Sequence, residues 1–147
     1  MEFKLITDNS LDRFVEEKMD HEAQIKNNYI RKHMDDTGMI ERKFYNYAVY
    51  EKNQIIAASL GWMRYEWFFL RDLWVDEKHR NMGIGSMLLN KIEQLAIKEK
   101  QIGIRLETWD FQAPEFYEKH GYELYGKIDD CPPGVSELFY KKVFKKK

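Results

Sequence analysis

Residues 79–90 read HRNMGIGSMLLN, and they decide how the middle of the chain folds. Gly83 and Gly85 stand one residue apart, just behind Arg80. From residue 84 onward apolar side chains recur at helical spacing, which predicts an amphipathic helix over residues 84–100. Glycines at such a junction allow another group to come close to the backbone. The stretch therefore predicts a turn that leads into a helix and that allows another group to come close to its backbone.

Extended segments flank this helix on both sides. Residues 65–75 are rich in aromatic and apolar side chains, and residues 102–109 alternate between apolar and polar side chains. Both patterns predict strands. A strand, a helix and a strand in succession form a βαβ unit, whose two strands are expected to be parallel and whose crossover is right-handed.

The remaining elements are predicted from periodicity, caps and turn residues. A short strand is predicted at 3–6. A helical region, one helix or two, follows an N-cap at Asn9 or Ser10 and ends near Thr37 and Gly38. Strands are expected at 44–50, 55–63, 122–125 and 137–144, and a short helix runs from Ala113 and Pro114 to Gly121.

These elements predict an α/β (α+β) fold. We expect a mixed, mostly antiparallel central sheet that contains the parallel βαβ unit, with helices on both faces. No repeat or interdomain linker interrupts the sequence, so residues 1–147 are expected to form a single domain. A chain of this length buries roughly two-thirds of its unfolded surface.

Composition excludes several classes of protein. The formal net charge is −1, which gives no overall attraction to nucleic acid or to an anionic membrane. The lysines at 141–147 are interpreted as a solubilising end rather than a binding patch. No apolar run reaches the ~20 residues that a membrane span needs, and the charged N-terminus lacks the core of a signal peptide.

The cysteine and the histidines indicate neither disulfides nor metal. Cys131 is the single cysteine and stands beside Asp129 and Asp130, whose charges would raise its thiol pKa if they lie close. The four histidines lack metal-ligand spacing, so no metal is expected. A single cysteine fits a reducing compartment, and a cytoplasmic location is expected.

The glycine turn fits a phosphate. The first amides of a helix lack intrahelical partners, and the helix dipole favours an anion there. Gly83 and Gly85 let a phosphate approach, and Arg80 adds positive charge. A dinucleotide fingerprint would need glycine at Leu88, and the lysine of a P-loop is absent. A simple tight turn remains the alternative.

Two motifs together resemble the GNAT superfamily of N-acetyltransferases. Arg80-x-x-Gly83-x-Gly85 resembles its acetyl-CoA motif. The segment at 113–122, AxxFYEKxGY, resembles a second family motif that lies downstream. The likeness covers residues 65–126. Asp110 departs from the pattern, because many members carry an asparagine there that orients the cofactor; Gln112 is the candidate substitute.

The resemblance implies a site for acetyl-CoA, which is a co-substrate. The backbone amides of one loop would hold its pyrophosphate: Arg80, Asn81, Met82, Gly83, Ile84, Gly85 and Ser86. The pantetheine arm would lie along the strand that ends in Leu73, Trp74 and Val75. An amide of Trp74 or Val75 would stabilise the oxyanion, a contribution typically worth roughly 3 kcal/mol.

The resemblance also implies acid and base roles. Tyr117 matches the family tyrosine that protonates the leaving thiolate, and a tyrosine of ordinary pKa stays protonated at neutral pH. Glu107 and Asp72 are the candidate bases for the amine. On parallel strands these two carboxylates would lie near each other, which would raise one pKa. Structural roles remain open: a core position for Tyr117, and ion pairs with Arg105 and Arg71 for the carboxylates.

The sequence thus predicts an acetyl-CoA-dependent N-acetyltransferase that acts on a primary amine. The loop at 129–134 is a candidate cover for a cationic acceptor, through Asp129 and Asp130. The aromatic side chains are more often core than pocket. The alternative function is a catalytically inactive CoA-binding regulatory module. The acceptor stays open between small molecules and protein amines, no nucleic-acid or membrane partner is expected, and a homodimer is possible.

Overall fold

The structure, a computed structural model, describes residues 1–35 and 40–144. Two compact units divide the chain, one over residues 1–41 and one over residues 42–147. The predicted helix end at Thr37 and Gly38 and the lysines at 145–147 lie outside the described residues. The single-domain expectation stays a prediction.

The first unit consists of two helices, α1 (Asp12–Lys26) and α2 (Asn28–His33). Asn27 separates them with an extended backbone, and its side chain caps α2 by accepting a hydrogen bond from the amide of Ile30. The predicted cap of α1 at Asn9 or Ser10 is wrong: Leu11 occupies that position without a side-chain hydrogen bond, and the Ser10 amide instead bonds the Asp8 carboxylate at 3.0 Å.

The predicted strand at 3–6 does not form. Phe3 and Leu5 are each 89% exposed, so their alternation with polar residues covers no core. A strand is stable only when its backbone groups pair with a neighbouring strand, and periodicity alone cannot supply that neighbour. Alternation over so few residues is therefore a weak signal.

The second unit contains a sheet whose described residues form seven strands. The elements in chain order are β1 (Lys43–Phe44), β2 (Tyr47–Glu51), β3 (Gln54–Arg64), β4 (Trp67–Val75), a 3₁₀ turn (Glu77–His79), α3 (Ile84–Lys98), β5 (Gly103–Trp109), α4 (Pro114–Lys119), β6 (Glu123–Ile128) and β7 (Glu137–Val143). The strand order is β1-β3-β4-β5-β7-β6, and β2 also pairs with β3.

The sheet confirms the predicted mixed fold. β4 and β5 pair in parallel across the α3 crossover, while the other strand pairs are antiparallel. The predicted strand at 44–50 is split into β1 and β2, and the intervening Asn46 accepts a hydrogen bond from the Gly61 amide at 3.2 Å. The predicted βαβ unit is therefore confirmed, with its first strand beginning two residues later than expected.

One face of the sheet carries the core together with α3 and α4. Ile104 and Leu106 of β5 pack in one cluster with Leu89 and Ile92 of α3 and with Tyr117 of α4. The half-buried Lys142 then ties β7 to both helices. Its ammonium donates to both Glu93 carboxylate oxygens, at 3.0 and 2.9 Å, and to the His120 carbonyl at 2.8 Å. Helices on the opposite face stay a prediction.

A one-residue bulge interrupts β4. Leu60 of β3 pairs with Asp72, but the next residue, Gly61, pairs with Leu70, so Arg71 is the extra residue. The parallel pairing of β4 with β5 also ends at Leu70. Because a bulge bends its strand and increases its twist, β4 leaves β5 at this point.

Gly61 leaves room for this bend because it has no side chain. Replacing Gly61 with alanine tests whether the bend of β4 needs that space. A Cβ at Gly61 would meet the Phe68 ring at 2.5 Å and the Phe69 carbonyl at 2.7 Å, whereas a Cβ at Gly126 of β6 would meet Phe139 at an ordinary 3.5 Å. We expect Gly61→Ala to lower the free energy of unfolding by about 1–3 kcal/mol in urea titrations. Gly126→Ala should change it by about 0.5 kcal/mol or less; equal losses would contradict the account.

Candidate functional site

The outer half of β4 presents an open edge. From Asp72 to Val75 the strand pairs with β3 on one side. On the other side, no strand of the described chain pairs with it, because β5 is aligned with β4 only as far as Leu106. A gap therefore opens between the carboxyl ends of two parallel strands, where α/β proteins commonly bind ligands.

The hydrogen-bond alternation of β4 determines which amide faces this gap. The Asp76 amide donates to the Ile56 carbonyl of β3 at 2.8 Å. Backbone groups of successive strand residues point to opposite sides. The amide and carbonyl of Val75 therefore face the gap, while those of Trp74 face β3. Of the two predicted oxyanion donors, the geometry favours Val75.

The start of α3 lies beside the end of β4. The Arg80 Nε donates to the Val75 carbonyl at 3.1 Å, so the arginine side chain folds back onto the strand. Gly83 caps α3 in the left-handed conformation with φ of +79° and makes no side-chain cap. The Met87 amide bonds the Gly83 carbonyl at 3.0 Å. The amides of Ile84, Gly85 and Ser86 precede that first bond and stay available to an anion.

The loop before α3 bends at two left-handed residues, since Asn81 also has a positive φ of +59°. Met82, between Asn81 and Gly83, is 65% exposed. Gly85 lies against other parts of the site: a Cβ there would meet Phe116 of α4 at 3.5 Å and Val75 at 3.7 Å. The cap of α3, the end of β4 and α4 thus converge on Gly85.

Tyr117 of α4 follows Phe116, whose ring lies beside Gly85. Its ring packs edge-on against Phe116 and Tyr122, with centroid distances of 5.2 and 5.8 Å. Burial, and secondarily the charge of Asp72, raises the pKa of Tyr117 to about 12. The hydroxyl is therefore protonated at neutral pH and able to donate. Its coupling to Asp72 brings these two predicted site residues together.

Asp72 also has a partner of its own. The Arg71 Nε, at the bulge, lies 2.6 Å from the Asp72 carboxylate, and both side chains are half exposed. An ion pair with Arg71 is the structural role that the sequence offers for Asp72 as the alternative to a base. Arg71 occupies one carboxylate oxygen of Asp72, which weakens the case for Asp72 as a base.

Glu107 forms a carboxylate pair, but with Glu137 rather than with Asp72. Trp109 of β5 is aligned with Glu137 of β7, so Glu107 and Glu137 are diagonal neighbours on one face. Burial, and then the charge of Glu137, raises the pKa of Glu107, while Arg105 opposes this shift. The expected partner was wrong because β4 diverges from β5 before Asp72. The direction of the shift suits a general base.

The loop between β6 and β7 is fixed by its own hydrogen bonds. Asp129 lies 2.8 Å from the Lys127 ammonium and accepts from the Ser136 hydroxyl, and Asp130 accepts from the Gly134 amide at 3.1 Å. The Cys131 thiol lies 3.5 Å from the Glu137 carboxylate. That contact raises the thiol pKa, as expected from the sequence, but through Glu137 rather than through Asp129 and Asp130.

Asp110 and Gln112 are both engaged within the protein. The Asp110 carboxylate accepts from the Ser136 amide at 3.1 Å. Gln112 turns back onto β5, where its carbonyl oxygen accepts from the Trp109 amide at 3.3 Å. Their proposed contacts with a cofactor stay predictions. Asp110 at this position instead fastens the β6–β7 loop to the end of β5.

Two contributors were missed in the sequence. His79 bridges Asp76 and Glu51 at 2.8 and 3.1 Å, which ties the loop before α3 to β2, and these carboxylates raise the His79 pKa. Glu137 was assigned only to a strand. The alternation of side chains along β7 could have indicated that Glu137 lies on the same sheet face as Glu107. The role of His79 could not be predicted in this way, because its partner Glu51 is 28 residues away in the sequence.

Within residues 1–35 and 40–144, no cluster of histidine, cysteine or acidic side chains is arranged to hold a metal. None of the helices in that same part of the chain has the length and apolarity to span a bilayer.

Comparisons with known proteins agree with this geometry. The family model described as an acetyltransferase (GNAT) domain matches residues 42–124. Among curated proteins, blasticidin-S acetyltransferase of Streptomyces morookaense is 40% identical over 99 residues, which is 66% of this chain and 73% of that protein. An acetyltransferase of Agrobacterium fabrum is 27% identical over 94 residues, covering 64% and 69% of the two chains.

Solved structures extend the likeness. An acetyltransferase from Bacillus cereus superimposes with a TM-score of 0.78 and 30% identity, over 98% of this chain and 99% of the other. An acetyltransferase of Bacillus anthracis, solved with acetyl coenzyme A, gives a TM-score of 0.63 and 25% identity over 71% and 64%. The glycine-capped helix, the open strand edge and these relatives lead to one conclusion: the chain belongs to the GNAT family of acetyltransferases.

Proposed function

We propose that the protein transfers the acetyl group of acetyl-CoA to a primary amine. One observation carries this proposal: the free amides at the start of α3 lie beside the unpaired edge of β4. The first feature fits a pyrophosphate, and the second fits an amide-containing chain that adds to the sheet like a strand. Acetyl-CoA contains both groups, joined in one molecule.

The co-substrate would be held by three parts of the site. The amides of Ile84, Gly85 and Ser86 bind the pyrophosphate, and the Arg80 guanidinium adds charge while its Nε stays on Val75. Backbone groups of Leu73 and Val75 pair with the pantetheine arm. The Val75 amide then faces the thioester carbonyl, where it stabilises the developing oxyanion.

The carboxylate pair and Tyr117 would move the protons. Glu107 takes a proton from the acceptor ammonium, directly or through water. The neutral amine attacks the thioester carbonyl and forms a C–N bond in a tetrahedral intermediate. The C–S bond then breaks, and Tyr117 gives its proton to the departing thiolate. The second proton of the attacking nitrogen, which the amide product does not keep, passes to the Tyr117 oxygen and restores its hydroxyl. Glu137 acts through Glu107 as a positioning residue, because its charge raises the pKa of the Glu107 carboxyl.

The identity of the acceptor is tested first with blasticidin S, which the name of one relative indicates as its substrate. We expect acceptor-dependent release of free CoA thiol, measured with a thiol reagent, and a mass increase of one acetyl group on the amine product. Tyr117→Phe should lower kcat by about 10²-fold, the lower end of general acid catalysis, with little change in acetyl-CoA affinity.

The control for this assay is Tyr125→Phe, which removes a half-exposed hydroxyl of β6 outside the proposed acid site. Unchanged turnover in Tyr117→Phe would remove the general-acid role. Thermal stabilisation by acetyl-CoA without thiol release, across a broad panel of amines, would favour the alternative of a CoA-binding regulatory module.

The Glu107–Glu137 pair predicts a particular pH dependence. Because the folded-state pKa of Glu107 is raised, kcat/KM should increase with pH through that raised pKa as the base becomes ionised. Glu137→Gln removes the neighbouring charge, so the rising limb should move to lower pH. Glu107→Gln should remove the limb and lower kcat/KM by about 10²-fold or more.

The matched control is Glu123→Gln, on the neighbouring strand β6, which should leave the pH profile of the enzyme unchanged. Tyr117 should add no falling limb below about pH 10, because its pKa is about 12. If the rising part of the kcat/KM profile falls at the same pH in Glu137→Gln as in the unchanged protein, then the charge of Glu137 does not raise the pKa of the base.

A further inference from the structure

A cavity lies near the start of β4, at the opposite end of that strand from the acetyl-CoA motif. Its volume is about 350 Å³, near the lower limit for small-molecule sites. The lining residues are Arg64, Tyr65, Trp67, Arg105, Tyr125 and Lys141. We call this cavity the basic cleft. Arg105 alternates with the core residues Ile104 and Leu106, so the cleft opens on the sheet face turned away from α3.

The basic cleft carries three cations that form no ion pair within the described residues, although the charge of Arg105 acts on the Glu107 carboxyl two residues along β5. Within residues 1–35 and 40–144, none of its three cations, Arg64, Arg105 and Lys141, has a carboxylate within ion-pair distance. The Nε of Arg64 is buried and has no hydrogen-bond acceptor. Leaving a buried charged donor unpaired is costly, typically more than the ~1–3 kcal/mol of a neutral group. An anionic ligand would remove that cost.

Aromatic rings line the same cleft. The Arg64 guanidinium lies 4.7 Å from the Tyr65 ring centroid, and the Lys141 ammonium lies 5.6 Å from the Tyr125 centroid. Tyr65 and Tyr125 are about half exposed, so each offers part of its surface to a ligand. Cations beside such rings provide both stacking and charge for a planar anion.

A hairpin turn and a bulge position the two tyrosines. Tyr65 and Glu66 have positive φ values of +57° and +62° and form the two-residue turn between the paired residues Arg64 and Trp67. On β6, Leu124 pairs with Tyr140 and Gly126 with Phe139, so Tyr125 is the extra residue of a bulge. Bulges commonly redirect a side chain towards a site. The turn and the bulge therefore bring the two rings to one cavity.

The basic cleft is separate from the proposed acetyl-CoA site. Trp67 begins β4 and Val75 ends it, which corresponds to roughly 26 Å along an extended strand. A ligand in the cleft therefore need not compete with acetyl-CoA. Two carboxylates lie near the cleft on the sheet: Glu123, which is aligned with Lys141 across β6 and β7 without forming an ion pair, and Glu107, whose charge interacts with Arg105.

We propose that the basic cleft binds a small aromatic anion. A flat ring lies between Tyr65 and Tyr125, and a phosphate or carboxylate group accepts hydrogen bonds from Arg64 and Arg105. The three cations favour a phosphate monoester over a singly charged carboxylate. The proposal does not rest on the proposed function, although Arg105 belongs to the cleft and also lowers the pKa of the Glu107 carboxyl.

The probe is phenyl phosphate, compared with benzoate, inorganic phosphate and benzyl alcohol by calorimetry. We expect a Kd for phenyl phosphate at least tenfold below that for inorganic phosphate, weaker binding of benzoate, and no measurable binding of the neutral alcohol. The Arg64 Nε–H resonance should shift on titration. Saturating acetyl-CoA should leave the Kd unchanged.

Two variants make the test specific. Arg64→Gln and Lys141→Gln should each weaken phenyl phosphate binding by about tenfold, the loss of one charge-assisted contact. Arg42→Gln is the matched control, because Arg42 also lies over an aromatic ring, Trp62, at 5.2 Å but does not line the cleft. Absence of binding, displacement by acetyl-CoA, or equal losses in Arg42→Gln and both cleft variants would overturn the proposal.

Discussion

The bulge at Arg71 is the constraint on which the site depends. One extra residue in β4 ends its pairing with β5 at Leu70, while pairing with β3 continues to Val75. Without it, the strand would continue beside β5, and its backbone groups would be satisfied within the sheet. The bulge also lets Leu73 and Val75 return to the core face that Phe68 and Leu70 occupy. Packing is thus retained while one edge is left open.

The open edge separates two environments of different charge. On one side lie the free amides at the start of α3, together with the protonated Tyr117. On the other side lies the pair of Glu107 and Glu137, whose mutual repulsion favours taking up a proton. The transfer that we propose, from a thioester to an amine, needs an electrophilic side and a basic side, and the divergence of the two strands separates two such groups of residues.

The sequence predicted those parts of the site that depend on local chemistry. The glycine turn, the helix beginning at Ile84 and the βαβ order follow from spacing and from the properties of glycine. The N-terminal strand was predicted wrongly, because alternation over 3–6 cannot reveal whether a partner strand exists. Short patterns of this kind specify a tendency and not a pairing.

Register was the other quantity that the sequence could not supply. The sequence predicts Asp72 of β4 as the partner of Glu107. In the structure the bulge directs β4 away from β5, and Glu137 of β7 is the carboxylate that lies beside Glu107. Tyr125 likewise reaches the basic cleft only because of a shift in β6. A one-residue irregularity changes which side chains meet but leaves almost no trace in hydrophobic periodicity. Contacts across strands therefore needed the structure.

A crystal structure of the protein with CoA tests the central claim most directly. We expect the pyrophosphate to accept hydrogen bonds from the amides of Ile84, Gly85 and Ser86. We also expect the pantetheine arm to pair with the free edge of β4, with its thiol end near Val75 and Tyr117. A complex in which CoA binds elsewhere and leaves that edge unpaired would contradict it.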